Sequence, residues 1–384
     1  MIAINRRHLT LSLAVLGAAG ASLATLQDAQ AANAANATTA VQELATGLNH
    51  PWGMVFLPDG QGALITERAG DLRLWQDGKG LSQPLRGVPK VHSQGQGGLL
   101  DVALSPDFAK DRMVYLSYSE AGDGRAGTAV GRGKLAEDNA SLQDFTVIFR
   151  QAPKLSNGQH FGSRLVFDRD GMLFITLGDN GQRPTAQDLD KLQGKTVRLN
   201  ADGSVPKDNP FVGKDGARPE IWSYGHRNAQ GMALHPRTGA VWLNEHGAQG
   251  GDEINIPKAG ANYGWPLATH GVNYGGAPIP EAKGKRVPGT EQPDFVWEQS
   301  PAVSGMAFYE HARFPAWQGS IFVGALKDQS LIRLTQEGGK IVEQERLLKD
   351  RGERIRDVRQ GPDGSLYVLT DSSDGKLLRV GLRE

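Results

Sequence analysis

The chain of 384 residues contains no cysteine. That excludes disulfides, thiolate chemistry and the modified cysteine of a lipoprotein. It also lacks a charge excess: 42 Lys and Arg balance 42 Asp and Glu, so its global field favours neither nucleic acid nor an anionic membrane. No strand–GxGxxG–helix unit occurs, which argues against a nicotinamide cofactor. What the chain has in quantity is glycine, at 50 residues, together with seven tryptophans. That composition fits a turn-rich all-β fold better than a helical one. A hydrophobic fraction of 39% supports a substantial core. Length alone allows two or three domains, but closed β architectures exceed that rule, and we read one domain.

Residues 1–31 read as an export signal. Arg6 and Arg7 open a basic segment, Leu9 to Leu26 is apolar with small residues, and Ala29 to Ala31 has the A-x-A form of a cleavage site. The arginine pair followed by His8 and Leu9 resembles a twin-arginine signal, which carries proteins across already folded; an ordinary secretory signal is the alternative. Ser12, Gly17, Gly20 and Ser22 interrupt the apolar stretch, which argues against a permanent membrane anchor. Residues 32–40 read as a disordered spacer and residues 41–384 as the folded domain. The expected location is the periplasm.

One phrase recurs six times: an apolar strand, a turn of Pro, Asp or Gly, and a second apolar strand. It runs from Met54 into Ala63–Thr66, from Asp101 into Val114–Ser117, from Leu165 into Leu173–Thr176 and from Met232 into Val241–Asn244. A looser copy joins Met306 to Ile321–Val323, and the cleanest joins Asp357 to Leu366–Leu369. Each Asp-Gly turn supplies the positive φ that glycine adopts freely. Alternating apolar residues give every hairpin a face it cannot cover alone, so neighbouring units must stack around a centre. Six copies predict a six-bladed β-propeller of four-stranded antiparallel blades, with a β-sandwich of hairpins as the alternative. The extra length after copies three, four and five should lie in loops on one face.

Polar runs rich in Gly, Asn and His enter successive units at Asn157–Arg164, Leu177–Gly181, Ile221–Gly231 and Asn244–Asn255, the last followed by Gly260–Pro266. One such run means a turn, whereas four entering successive blades predict convergence on a shared cleft. Arg354 and Arg356 flank Ile355, an alternation that puts both cations on one face of a strand. Glu245 and His246 are adjacent, without an HExxH pattern, and read as loop residues rather than transition-metal ligands.

Over residues 41–384 these features resemble the soluble pyrroloquinoline-quinone-dependent glucose and aldose sugar dehydrogenases. The resemblance is carried by Gly95–Leu100, Tyr224–Asn228, Asp252–Asn255 with Asn262–Trp265, and Arg354–Val358. It implies that an aldose is oxidised at its anomeric carbon to a lactone. His160 is then the catalytic base, since a neutral imidazole suits proton removal near neutral pH. Asp179 would fix its tautomer, and Arg227 would polarise the quinone carbonyl. Gln96, Arg227, Asn228, Lys327, Arg354, Arg356 and Thr370 match cofactor-binding positions, and a tricarboxylate needs such fixed cations. The carbonyls of Gly247 and Ala248 match ligands of a calcium ion that acts as a Lewis acid, and Glu253 with the carbonyl of Tyr263 matches a second calcium site.

Two positions depart from the glucose-oxidising branch. Ala248 replaces a proline, which a main-chain ligand tolerates, and Gln159 stands where an acidic residue precedes the base, which puts the identity of the sugar in question. The expected partners are an aldose and a soluble or membrane-linked electron acceptor, with no nucleic acid and no stable membrane insertion. The protein itself would be a monomer or homodimer. A calcium-dependent propeller lactonase and a non-catalytic carbohydrate-binding propeller are the alternatives.

Overall fold

The computed structural model describes residues 38–383 apart from Gln61 and Asn157. The expected export signal, and residues 32–37 of the expected spacer, lie outside the described residues. The first strand begins at Thr39, two residues before the boundary read from the sequence.

Six four-stranded antiparallel sheets make up the fold. The innermost strands are Pro51–Phe56, Leu99–Leu104, Leu165–Phe167, Ala229–Leu234, Val303–Tyr309 and Ile355–Gln360, for blades one to six. Each contacts the innermost strand of the next blade, and the sixth contacts the first, which closes a ring. The architecture is a six-bladed β-propeller. Among the described residues helix is confined to the four residues Phe108–Asp111 and short 3-10 turns.

The ring is fastened by a strand from each end of the propeller. Thr39–Leu48 pairs antiparallel with Gly375–Leu382, with Thr39 opposite Leu382, and becomes the outer strand of blade six. Its burial is mixed, because an outer strand has solvent on one side. Inner and second strands are sandwiched between blades, so they read as apolar runs rather than strict alternations. Ala63–Glu67, Leu173–Leu177 and Leu366–Thr370 are buried at every residue.

Each of the six blade–blade interfaces has its own apolar cluster. Between blades one and two, for example, Leu64 and Leu72 meet Val102 and Leu116. The looser fifth copy spans its long turn with the 3-10 segment Pro315–Trp317, whose Trp317 packs edge-on against Tyr309 and Phe322.

The axis is plugged by charge rather than by hydrocarbon. Arg164 is fully buried and donates to Asp101 at 2.9 Å and to the Gln230 carbonyl at 2.9 Å, while lying 3.2 Å from Asp357. Its guanidinium also sits 4.4 Å from the Trp52 ring centre. Asp101 and Asp357 belong to blades two and six, so this one cation ties four blades through their innermost segments. A Cβ at Gly305 would lie 2.1 Å from the Asp357 carboxylate, so the absence of a side chain there admits the aspartate.

The extra length follows copies three and four, as expected, but not copy five; some also precedes copy three, and it lies at both ends of the ring rather than on one face. It falls in 151–164 between blades two and three, in 178–194 and 200–220 inside blade three, and in 256–294 inside blade four. The 256–294 connection leaves the lower end of blade four beyond Asn255 and climbs to the upper rim. There Tyr263 N–H and Trp265 N–H donate to the carbonyls of Tyr224 and Gly225.

Candidate active site

The polar runs converge on the upper mouth of the ring. His160 stands in the 151–164 connection with φ of 53°, and Ser163 and Asn180 beside it also have positive φ. Three non-glycine residues in that sparsely populated region are held there by their surroundings. Gln96 accepts the His160 N–H at 2.9 Å, and the His160 carbonyl presses on Gly178, where a Cβ would lie 1.7 Å from that oxygen.

Asp179, which follows the second strand of blade three, meets this histidine. One carboxylate oxygen lies 2.7 Å from His160 Nδ1 and takes the Gly181 N–H, and the other accepts the Trp265 indole N–H at 2.8 Å. Asp179 is fully buried while the His160 side chain keeps 12% exposure. Burial alone would raise the Asp179 pKa, but the His160 contact and the nearby Arg227 charge outweigh it, and the carboxyl is held below its usual range. The carboxylate stays ionised and takes a proton-bearing Nδ1, which leaves Nε2 of His160 as the basic nitrogen.

Arg227 is anchored by its backbone, whose N–H donates to buried Glu245 at 2.7 Å, and its guanidinium lies 5.4 Å from the Trp265 ring. Asn228 accepts the Gly162 N–H, tying the entry of blade four to that of blade three. Of Glu245 and His246, both expected to be loop residues, His246 lies in a loop and Glu245 does not. Glu245 ends a fully buried strand and accepts His226 Nδ1 at 2.7 Å and Asn255 at 3.0 Å as well as Arg227. His246 follows it, with a buried Nε2 that has no hydrogen-bond partner. Burial pushes the His246 pKa well below its usual value, and the charges of Arg227, His160, Arg356 and Arg354 push it further. Those four groups therefore lie near enough to His246 for their charges to act on it.

The remaining cations approach from blades five and six. Arg354 and Arg356 do share a face, since both donate to Asp371, while Ile355 is buried on the other side. Arg356 also donates to Gln230 at 2.7 Å, so both of its terminal nitrogens are engaged within the protein. Arg354 is 46% exposed, and donates to the Leu326 carbonyl beside Lys327. The Lys327 side chain is exposed and has no partner among the described residues. Thr370 is buried, and its hydroxyl accepts the Lys376 N–H.

The expected calcium positions form two neighbouring groups. Gly247 N–H donates to Asp252, and a Cβ at Gly247 would lie 2.2 Å from the Gly250 carbonyl, so this turn is a tight cradle of main-chain oxygens. Glu253 faces Glu245 across two paired strands, with Asn255 donating to both. Burial, then the Glu245 charge, pushes the Glu253 pKa well above its usual value. Tyr263 stacks on His226 at 4.9 Å. No group of three or more His, Cys, Asp or Glu side chains among the described residues could hold a metal. A cation here would depend on carbonyl oxygens, which suits a hard ion.

The sequence reading missed Asp371 and the bond from Trp265 to Asp179. Trp265 stood inside a motif, and Asp371 directly follows Thr370, so position marked both while nothing marked their partners.

Residues 48–379 match the glucose/sorbosone dehydrogenase family. The aldose sugar dehydrogenase YliI of Escherichia coli is 64% identical over 344 residues, covering 89% of this chain and 93% of that protein. The soluble aldose sugar dehydrogenase of Escherichia coli, solved in its apo form, superposes with a TM-score of 0.89 at 63% identity, over 90% of this chain and all of that one. The PQQ-bound aldose sugar dehydrogenase of Streptomyces coelicolor is 31% identical with a TM-score of 0.74, over 90% of this chain and 99% of that one. The chain belongs to the glucose/sorbosone dehydrogenase family.

Proposed function

We propose that the protein is a periplasmic aldose sugar dehydrogenase that uses pyrroloquinoline quinone and calcium. The observation that carries this reading is the His160–Asp179 pair at 2.7 Å, set in a cleft that it shares with Arg227, Arg354 and Arg356. A lactonase has no need of several fixed cations around its base, whereas a tricarboxylate cofactor does. The partnerless Nε of Arg356, which is buried, and the open Lys327 ammonium are donors of the kind such a ligand would satisfy. Further support comes from the Streptomyces coelicolor relative solved with PQQ.

The quinone, polarised by calcium, supplies the acceptor for the two electrons and the hydrogen that leave the anomeric carbon. This chain's residues supply the rest. Asp179 holds Nδ1 of His160, so Nε2 takes the proton from the anomeric hydroxyl as the C–H bond breaks. Trp265 and the Gly181 N–H hold Asp179 from behind. Arg227 would stabilise negative charge as it develops. Lys327 and Arg354 would hold cofactor carboxylates, backed by Arg356, with Gln96, Asn228 and Thr370 around them. Gly247 and Ala248 would offer carbonyls to the catalytic calcium, and Glu253 with the Tyr263 carbonyl would hold a second ion that relieves the Glu245–Glu253 repulsion. The periplasmic location rests on the sequence of residues 1–31. Among the described residues no helix is long and apolar enough to cross a membrane.

The test is reconstitution of metal-free protein. Dye reduction with aldoses should require both quinone and calcium and vanish on chelation. No reduction with any sugar, together with no quinone uptake, would refute the proposal.

A further inference from the structure

A carboxylate sits where an anionic cofactor would be least helped by one. Asp371, 6% exposed at its side chain, accepts Arg356 Nη2 at 2.6 Å and Arg354 Nη2 at 3.3 Å on one oxygen. The other oxygen lies 2.9 Å from Nδ1 of His50. Its own N–H donates to the Arg354 carbonyl at 2.8 Å.

His50 is not part of blade six. It occupies the link between the ring-closing strand Thr39–Leu48 and blade one, with φ of 48°, and its N–H donates to the Ser372 carbonyl at 2.7 Å. The carboxylate is therefore gripped from the ring seam on one side and grips two guanidinium groups on the other. The Arg356 guanidinium lies 5.9 Å from the Trp52 ring, and Gln230 of blade four takes its second terminal nitrogen.

We propose that Asp371 is a positioning residue, which sets the spacing and direction of Arg354 and Arg356 so that they meet the carboxylates of the cofactor, and that His50 locks it from the seam. The inference rests on the quinone reading of the cleft. Two guanidinium groups this close repel one another, and left alone the half-exposed Arg354 would swing into solvent. A shared anion holds both in place, and a preorganised cation loses less on binding than a mobile one. Burial acts to protonate Asp371, but Arg356, His50 and Arg354 pull the other way, and it remains an anion.

Charge and positioning predict opposite signs, and that makes the inference testable. Asp371→Asn adds a unit of positive charge to the cleft. If charge alone mattered, a trianion would bind more tightly. If Asp371 positions the arginines, the quinone Kd, read from absorbance with calcium present, rises at least tenfold. On the same reading kcat at saturating quinone and KM for sugar change less than threefold. His50→Ala, at a partly exposed site that should fold normally, raises Kd about threefold. A Kd that is unchanged or lower in Asp371→Asn overturns the proposal; should that variant not fold, an unchanged Kd in His50→Ala does so. Crystal structures of the cofactor-free variants give an independent reading, in which the Arg354 guanidinium should leave its parental position. Guanidinium groups that stay in place refute the role. Failure of the unaltered protein to take up quinone would instead defeat the cofactor reading, and the crystal structures would still decide what Asp371 does.

Discussion

Replacing Asp179 by asparagine separates the chemistry of the cleft from its binding. The carboxylate accepts three hydrogen bonds, from His160 Nδ1, Gly181 N–H and Trp265 Nε1. An asparagine can face the histidine with its oxygen only by turning its NH2 toward the indole N–H, which is donor against donor. The reverse orientation forces the other imidazole tautomer and takes the free pair from Nε2. The larger effect is electrostatic. In the proposed reaction proton uptake turns His160 into a cation beside a buried anion, and two unit charges about 4 Å apart at an effective dielectric near 20 interact by about 4 kcal/mol. At 1.36 kcal/mol per decade this is a loss of about 10³ in kcat. The side chain keeps its volume, and the cations remain, so quinone affinity should change by less than about threefold. Stopped-flow reduction of the bound quinone by saturating sugar reads the step directly. A variant that keeps more than a tenth of the parental rate, or one that fails to bind quinone, would refute the reasoning.

Trp265→Phe removes one of the three bonds to Asp179 while keeping a ring beside Arg227, and should lower kcat by roughly ten- to 150-fold, the cost of about 1.5–3 kcal/mol for a hydrogen bond to a charged group; steady-state kinetics checks it. Gly178→Ala puts a methyl group 1.7 Å from the His160 carbonyl oxygen, so the base must move, and turnover should fall at least a hundredfold while circular dichroism still reports a folded propeller. Arg164→Met removes the fully buried cation between two buried aspartates and leaves them only Arg359 among the described cations, at 3.5 and 3.3 Å, a change worth about 3–5 kcal/mol. For a propeller of roughly 340 residues that is a fall in Tm of about 4–7 °C, read by calorimetry at pH 7.5. Asp101, whose carboxyl burial already pushes upward against the pull of Arg164 and Arg359, would rise further in that variant. A folded pKa above the unfolded one removes stability as pH rises, so the deficit should shrink at pH 5 and be largest at pH 8.

The blades were legible because each repeats its own local rule. An Asp-Gly pair such as Asp170-Gly171 or Asp363-Gly364 marks a turn, and the glycine has the positive φ that the turn needs. The apolar run after it is continuous because a strand between two blades is covered on both sides. The spacing of the copies placed surplus residues after copies three and four but did not say which end of the ring they would occupy. The 256–294 segment starts at the lower end of blade four and is held at the upper rim by Tyr224 and Gly225, which are contacts with another blade. The candidate site divides in the same way. His160, Asp179 and the Arg354/Arg356 alternation carry their chemistry in residue type and neighbours. Asp371, His50 and Trp265 acquire theirs only from partners 15 to 321 positions away in sequence.

The pairing of Thr39–Leu48 with Gly375–Leu382 also has a kinetic consequence. Among the described strands, the two that complete blade six are the first and the last to be synthesised. Until Leu382 is available, that sheet has two of its four strands, the backbone edge of Leu366–Thr370 is unpaired, and Leu369 of the interface with blade one has open neighbours. Contacts of such long sequence separation form slowly, because the chain entropy must be lost before they return anything. Ring closure is then a late event, and a chain stopped before the strand Gly375–Leu382 exposes a strand edge of the kind that recruits other chains.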